Sequence, residues 1–127
     1  MGQQQLLLIV LGVIIVGIAV VVGINLFNAN ATNANRDAVV SDLNNLGAMA
    51  QQFYKKPTSM GGGGNLFTGW AIPTNLVSNA NGTYSAAVAA GTVTIEGTGV
   101  EIGNDGSAPV KCTATVTPTQ ITVAVDN

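Results

Sequence analysis

Few side chains in this sequence are suited to catalysis or metal binding. Histidine is absent and Cys112 is the single cysteine. Neither a zinc site of Cys and His ligands nor a Cys-His or Ser-His catalytic pair can therefore form within the chain. A carboxylate acid–base pair would need a histidine, a lysine-rich cleft or a metal ion to tune its pKa. We expect no enzymatic activity, no metal site and no cofactor.

The carboxylates and the cysteine have plainer interpretations. Glu96, Glu101 and Asp105 lie near predicted turns, but their spacing does not match a calcium-binding EF-hand loop. We interpret them as solvated turn residues. Cys112 falls among alternating apolar residues beside Lys111, a pattern that predicts a small buried hydrophobic residue rather than a reactive thiol.

The glycine run Gly61–Gly64 does not form a phosphate-binding signature, because no Lys-Ser/Thr pair follows it and no strand precedes it. We interpret it as a flexible turn. It lets the next apolar residues fold back over a sheet: Leu66, Phe67, Trp70, Ile72 and Leu76.

The charges and the Asn-X-Thr triplets give two further expectations. The four basic residues and the net charge of −2 provide no basic surface for a nucleic-acid partner. Two triplets, which begin at Asn30 and Asn81, match the N-glycosylation pattern and are candidate modification sites.

An apolar segment occupies residues 1–27. Every residue from Leu6 to Ile24 is Leu, Ile, Val, Ala or Gly, and no charged side chain precedes Arg36. At ~1.5 Å per residue this run approaches the ~30 Å hydrocarbon thickness of a bilayer, so it predicts a transmembrane helix. A cleaved signal peptide is disfavoured because no basic residue precedes the run. A plain single-pass anchor would need nothing more than this run.

Small residues interrupt the bulky aliphatic surface of that helix at Gly12, Gly17 and Gly23. Small residues let helix backbones approach closely in lipid, although glycine is also common in membrane helices generally. We take these glycines, with Leu7 and Leu11, as candidate packing positions for neighbouring helices.

A second helical pattern follows in residues 28–56. No proline occurs before Pro57, so the helix is expected to continue from the apolar segment. Its apolar residues recur at intervals of four and three, which predicts an amphipathic stripe: Val39, Leu43, Leu46, Ala50 and Phe53. Lys55 and Lys56 suit the last turn of a helix, and Pro57 ends it.

Residues 57–80 are predicted to be a glycine-rich connecting loop, and residues 81–127 an antiparallel sheet with one buried face. The predicted turns lie at Gly97-Thr98-Gly99, Asn104-Asp105-Gly106 and Pro118-Thr119, and residues 84–88 can add a strand. The apolar positions assigned to the buried face are Val93, Ile95, Val100, Ile102, Val110, Cys112, Ala114, Val116, Ile121, Val123 and Val125. The predicted fold class is α+β, with the amphipathic half of one long helix packed on a small sheet.

This layout resembles type IV pilins and the related pseudopilins of secretion systems. The resemblance covers essentially the whole chain and is carried by the junction of residues 2–10 and by residues 50–57 with the following glycine run. It implies that a peptidase cleaves between Gly2 and Gln3. The family carries a Glu where this chain has Leu7, so assembly here is expected to depend on helix packing alone.

The resemblance implies a structural subunit that polymerises through its apolar helix into a surface filament. Its expected partners are copies of itself, the membrane, a prepilin peptidase and the pilus assembly machinery. It is expected in the inner membrane first and in an extracellular filament afterwards. Two alternatives are a pseudopilin of a secretion system and a membrane-tethered binding module. In the tethered module Phe67 and Trp70 would contact a ligand, and Trp70 would then be exposed.

Overall fold

The computed structural model describes residues 2–127 and has one long helix followed by a sheet. The helix, α1, spans Gln3–Lys55, and two 3₁₀ turns follow at Thr58–Met60 and Thr74–Leu76. The strands are β1 (Ser78–Asn79), β2 (Gly82–Val88), β3 (Val93–Ile102), β4 (Pro109–Val116) and β5 (Ile121–Val125). They form one antiparallel sheet in the order β1-β2-β3-β4-β5. The predicted α+β fold is confirmed.

The chain divides into two compact units, which are described separately. The first, the N-terminal unit, ends at Ala31, and the second, the head unit, comprises Thr32–Asn127.

The core of the head unit lies between the amphipathic stripe of α1 and the inner face of the sheet. The predicted stripe is confirmed: Val39, Leu43, Leu46 and Ala50 are buried, and Phe53 is partly buried. Opposite them lie the buried strand residues Val93, Ile95, Val110, Cys112, Ala114 and Val116. Burying one such side chain stabilises a fold by about 1.5–3 kcal/mol, so this interface holds the helix on the sheet.

The predicted turn at Gly97-Thr98-Gly99 is wrong, because β3 runs through these residues. Both glycines face the helix. A Cβ at Gly97 would lie 2.8 Å from Val39 Cγ1, and one at Gly99 would lie 2.1 Å from Asn35 Oδ1. These glycines therefore allow the helix to approach the sheet closely. Close approach of another backbone is a common reason for a glycine inside a strand.

The inward assignment of Val100 and Ile102 is wrong for the same reason. Successive strand residues point to opposite faces, so β3, which buries its odd-numbered residues from Val93 to Gly99, directs Val100 outward. The register of β3 with β4 then shifts between Thr98 and Ile102. Val100 is 61% exposed and Ile102 is 46% exposed. Val125, at the end of the edge strand β5, is also exposed.

The glycine run caps the C-terminal end of α1. Gly63 N donates to Phe53 O at 2.8 Å, and Gly64 N donates to Lys56 O at 2.9 Å. The last carbonyls of a helix have no partner within the helix, so these bonds satisfy part of that requirement. A Cβ at Gly62 would lie 2.2 Å from Lys56 O, which explains why a side chain does not fit there.

The chain after the glycines folds back over the core, as predicted. Phe67 is fully buried and its N–H donates to Ala90 O at 3.0 Å. Ile72 and Leu76 are partly buried against the core, whereas Leu66 remains exposed. Trp70 is only 8% exposed, so it packs inside the head unit and is not presented to a ligand.

Candidate functional site: an exposed apolar helix surface

The N-terminal unit is an apolar helix whose side chains face outward. Every residue from Gly2 to Asn30 is exposed, and the most apolar part of α1 is 0% buried. By length and composition, α1 is able to cross a membrane. In proteins generally, an exposed apolar surface of this extent is typical of regions that contact lipid or other proteins.

The predicted packing positions are open to contact. Leu7 and Leu11 are exposed, and nothing within the described chain lies within 4 Å of a Cβ built at Gly12, Gly17 or Gly23. At ~100° per residue, positions 12 and 23 fall about 20° apart around the helix, whereas position 17 lies on another side. The surface therefore offers close approach to neighbouring helices in two directions.

The start of α1 carries the predicted cleavage position. Gly2 precedes the helix, and its carbonyl accepts the N–H of Leu6 at 2.9 Å. The helix begins at Gln3. Cleavage between Gly2 and Gln3 stays a prediction. The next residues, Gln4 and Gln5, provide uncharged polar side chains ahead of the apolar run.

A polar cluster in the head unit ties the helix to the sheet. The Tyr84 hydroxyl donates to Asp42 Oδ2 at 2.5 Å. The same oxygen accepts Asn79 Nδ2 at 3.1 Å and Asn81 Nδ2 at 3.0 Å. One helix carboxylate thus connects β1, the turn after it and β2. The sequence pattern placed Asp42 off the buried stripe and gave no indication of this role.

The electrostatics of the cluster keep Asp42 ionised and Tyr84 neutral. Burial alone would raise the pKa of Asp42, but the hydrogen bonds from Tyr84, Asn81 and Asn79 outweigh it and lower that pKa. Burial and the hydrogen bond to Asp42 raise the pKa of Tyr84 far above its ordinary value. The adjacent cavity of about 120 Å³ is below the ~300–1,000 Å³ of small-molecule sites. We therefore interpret the cluster as a structural connection.

Asn35 makes a second connection that the sequence analysis missed. Its side chain is buried, its Nδ2 donates to Asn81 O at 2.9 Å, and its Oδ1 accepts Val100 N at 3.0 Å and Glu101 N at 3.3 Å. A signal was present, because Asn35 precedes Val39 by one helical turn and so extends the buried stripe.

Glu96, Glu101 and Asp105 are not grouped as the ligands of a metal ion in the part of the chain that the structure describes. Glu96 forms an ion pair with Lys111 at 3.3 Å. Asp105 Oδ1 accepts Ser107 N and Ala108 N, both at 2.9 Å, and these bonds lower the pKa of Asp105. Across residues 2–127, no group of three His, Cys, Asp or Glu side chains is placed to hold a metal ion.

The remaining predicted sites lie in exposed or partly buried positions. Asn30 is exposed, and Asn81 is partly buried with its Nδ2 bonded to Asp42. Glycosylation of either residue stays a prediction. Cys112 is buried, as its sequence pattern predicts, and burial raises the pKa of its thiol.

Comparison with known proteins adds no assignment to these observations. The chain matches no family model, no curated protein and no solved structure. Its architecture, one long apolar N-terminal helix followed by a small antiparallel sheet, is compatible with a pilin-like fold.

Proposed function

We propose that this chain is the structural subunit of a pilin-like surface filament. The exposed apolar surface of residues 6–24 holds the subunit in the inner membrane before assembly. In the filament the same surface packs against the equivalent helices of other copies. The head units form the outside of the fibre.

The single observation that supports this proposal most strongly is the exposure of every apolar side chain along residues 6–24 of the helix. Such a surface leaves water at a gain of about 25 cal/mol per Å² of apolar area. Both lipid and neighbouring helices can cover this surface. The same surface is therefore suited to the membrane-bound subunit and to the assembled filament. Association within lipid then depends on close packing, for which three open glycines are available.

A membrane-tethered binding module is less well supported. The two aromatic residues that the sequence suggested for ligand contact, Phe67 and Trp70, are both buried. A pseudopilin would share the architecture, and abundance separates the two: a major filament subunit dominates the protein sheared from the cell surface.

The test separates filament packing from simple anchoring by adding bulk without adding polarity. Gly12→Leu combined with Gly23→Leu keeps α1 apolar, so a single-pass anchor remains in the membrane. The added side chains prevent close approach of a neighbouring helix on that face. We expect fibres in sheared surface material to be lost while the membrane-bound amount stays unchanged.

The matched control is Val13→Leu combined with Val22→Leu, which changes two exposed positions of the same segment by one methylene each. These variants should assemble like the unaltered chain. Mass spectrometry of the sheared fraction identifies the subunit, and electron microscopy reports the fibres. Equal fibre yields from the glycine and valine variants, or no chain in any sheared fibre, would contradict the proposal.

A further inference from the structure

Acidic side chains cluster at one end of the head unit, the end that contains its first residue, Thr32. We call this the near end. Asn35 and Arg36 of α1 are bonded to Glu101 N and to Asn104 Oδ1. These bonds place Glu101 and the neighbour of Asn104, Asp105, at this end, and Asp37 follows Arg36 on the helix. All three residues are exposed. The Arg36 guanidinium donates to Asn33 and Asn104 oxygens. The net charge of this group is −2, from three carboxylates and one guanidinium.

The opposite end, which we call the far end, is basic. Lys55 is the last residue of α1 and Lys56 follows it, and both are exposed. Hydrogen bonds bring three other segments to this end. The glycine run is bonded to Phe53 O and Lys56 O, and the β2–β3 turn is bonded to Phe67 N. The β4–β5 turn is bonded to the Gln51 side chain. No Asp or Glu occurs between Asp42 and Glu96 or in the β4–β5 turn. The net charge here is +2, from the two lysines.

The charges at the two ends do not neutralise each other within one head unit. Asp37 and Lys55 are eighteen residues apart on α1, which is about 27 Å at ~1.5 Å per residue. That exceeds the Debye length of ~8–10 Å at physiological ionic strength. Of the other charged side chains of the unit, Glu96 and Lys111 form an ion pair. Asp42 and Asp126 keep their negative charges and accept hydrogen bonds from Tyr84 and Thr113.

Each end also presents apolar side chains beside its charges. Val100 and Ile102 flank Glu101 at the near end, and Met60 and Leu66 lie in the segment that follows the lysines at the far end. Interfaces commonly combine an apolar centre with charges that set orientation. The two ends are therefore opposite in charge, and each also offers apolar side chains for contact.

From this complementarity we propose that the far end of one head unit docks on the near end of a second copy. Lys55 and Lys56 of one copy face Asp37, Glu101 and Asp105 of the next. The inference rests on the proposed filament function and adds to it the contact that orders the heads. A two-fold symmetric contact of either end with itself would oppose like charges. A head-to-tail contact generates an open helical array wherever the rotation between copies does not close a ring.

The test reverses the charge of each end in the full-length chain. Lys55→Glu with Lys56→Glu makes both ends acidic, and Asp37→Lys with Glu101→Lys makes both ends basic. We expect the fibre yield of either variant to fall roughly tenfold or more, because like charges then meet at every contact. The fourfold variant, which combines both pairs, restores opposite charges and should recover fibres. An equal mixture of the two single-end variants should also recover fibres, as a copolymer.

The control reverses two charges on the sheet face, Glu96→Lys with Lys111→Glu, and should assemble normally. Circular dichroism and Trp70 fluorescence confirm that every variant keeps the native head. Fibres at normal yield from both single-end variants would overturn the docking inference and leave the filament proposal intact. Failure of both the fourfold variant and the mixture to recover fibres would also overturn it. Absence of fibres from the unaltered chain would overturn the filament proposal and this inference together.

Discussion

Replacing Gly99 with alanine tests the close packing of helix and sheet. The new Cβ would lie 2.1 Å from Asn35 Oδ1 and 3.1 Å from Val110 Cβ, so the Asn35 side chain has to move. That movement breaks its bonds to Val100 N and Glu101 N. Overpacking costs about 1–3 kcal/mol, and each lost neutral hydrogen bond costs about 0.5–1.5 kcal/mol. We expect a loss of about 3 kcal/mol in the free energy of unfolding of the head unit.

For a unit of this size, 1 kcal/mol corresponds to about 4–8 °C in Tm, so Gly99→Ala should lower the Tm by about 15 °C. The assay is thermal unfolding of the full chain in mild detergent. The signal is the fluorescence of Trp70, the single tryptophan, which is buried. Helix signal from the N-terminal unit does not enter this readout.

Gly91→Ala is the matched control. Gly91 lies in the β2–β3 turn with nothing within 4 Å of a built Cβ, so the same substitution should change the stability by less than about 1 kcal/mol. A Gly99→Ala variant that melts within about 4 °C of the unaltered chain would refute the close-approach reasoning.

Further predictions concern pH, charge and exposure. Hydrogen bonds hold the folded pKa of Asp42 below its ordinary 3.8, so its contribution to stability is present above that pH and is lost as the pH falls through the folded pKa. Asp42→Asn should therefore lower the Tm at pH 7 and weaken the dependence of the Tm on pH below that ordinary value. The folded pKa of Tyr84 is raised, so the stability of the head unit should decline once the pH rises above 10.0, the ordinary pKa of a tyrosine. Tyr84→Phe should remove that decline when the Tm is measured at increasing alkaline pH. Gly17→Arg places a charge in the middle of the apolar helix, where it costs about 2.5–3.5 kcal/mol at a bilayer centre. Sheared fractions of this variant should contain no fibres, while the thermal unfolding of its head unit should be unchanged. Trp70 fluorescence should be strongly protected from acrylamide, and quenching equal to that of free tryptophan would contradict its burial.

Much of the fold follows from periodicity. The positions of Val39, Leu43, Leu46 and Ala50 at helical spacing predicted the buried stripe, and all four are buried. The alternation in β4 likewise predicted its inner face. These patterns succeed because a single buried face imposes the period of its own secondary structure on the sequence.

Glycine caused the main errors of the sequence analysis. Gly97 and Gly99 resemble a turn because glycine favours turns, yet here the residue is needed where the helix approaches the strand. The sequence also did not show that N–H groups of the glycine run bond to carbonyls at the end of the helix. A sequence shows that a Cβ is absent but not which neighbour excludes it.

The polar connections were also invisible to hydropathy patterns. Asp42 and Asn35 bond to groups 37 to 66 residues away in sequence, and such pairing depends on the folded arrangement of the strands. The apolar helix surface, in contrast, was readable from composition alone, since no residue between Leu6 and Ile24 is polar.

The most direct test of the account is cryo-electron microscopy of fibres sheared from cells that produce this chain. We predict fibres built from this subunit, with residues 6–24 of neighbouring copies packed helix against helix at interaxial distances of about 8–10 Å. A purified chain that remains a dispersed single protomer in detergent, together with surface fibres that contain none of it, would contradict the filament proposal.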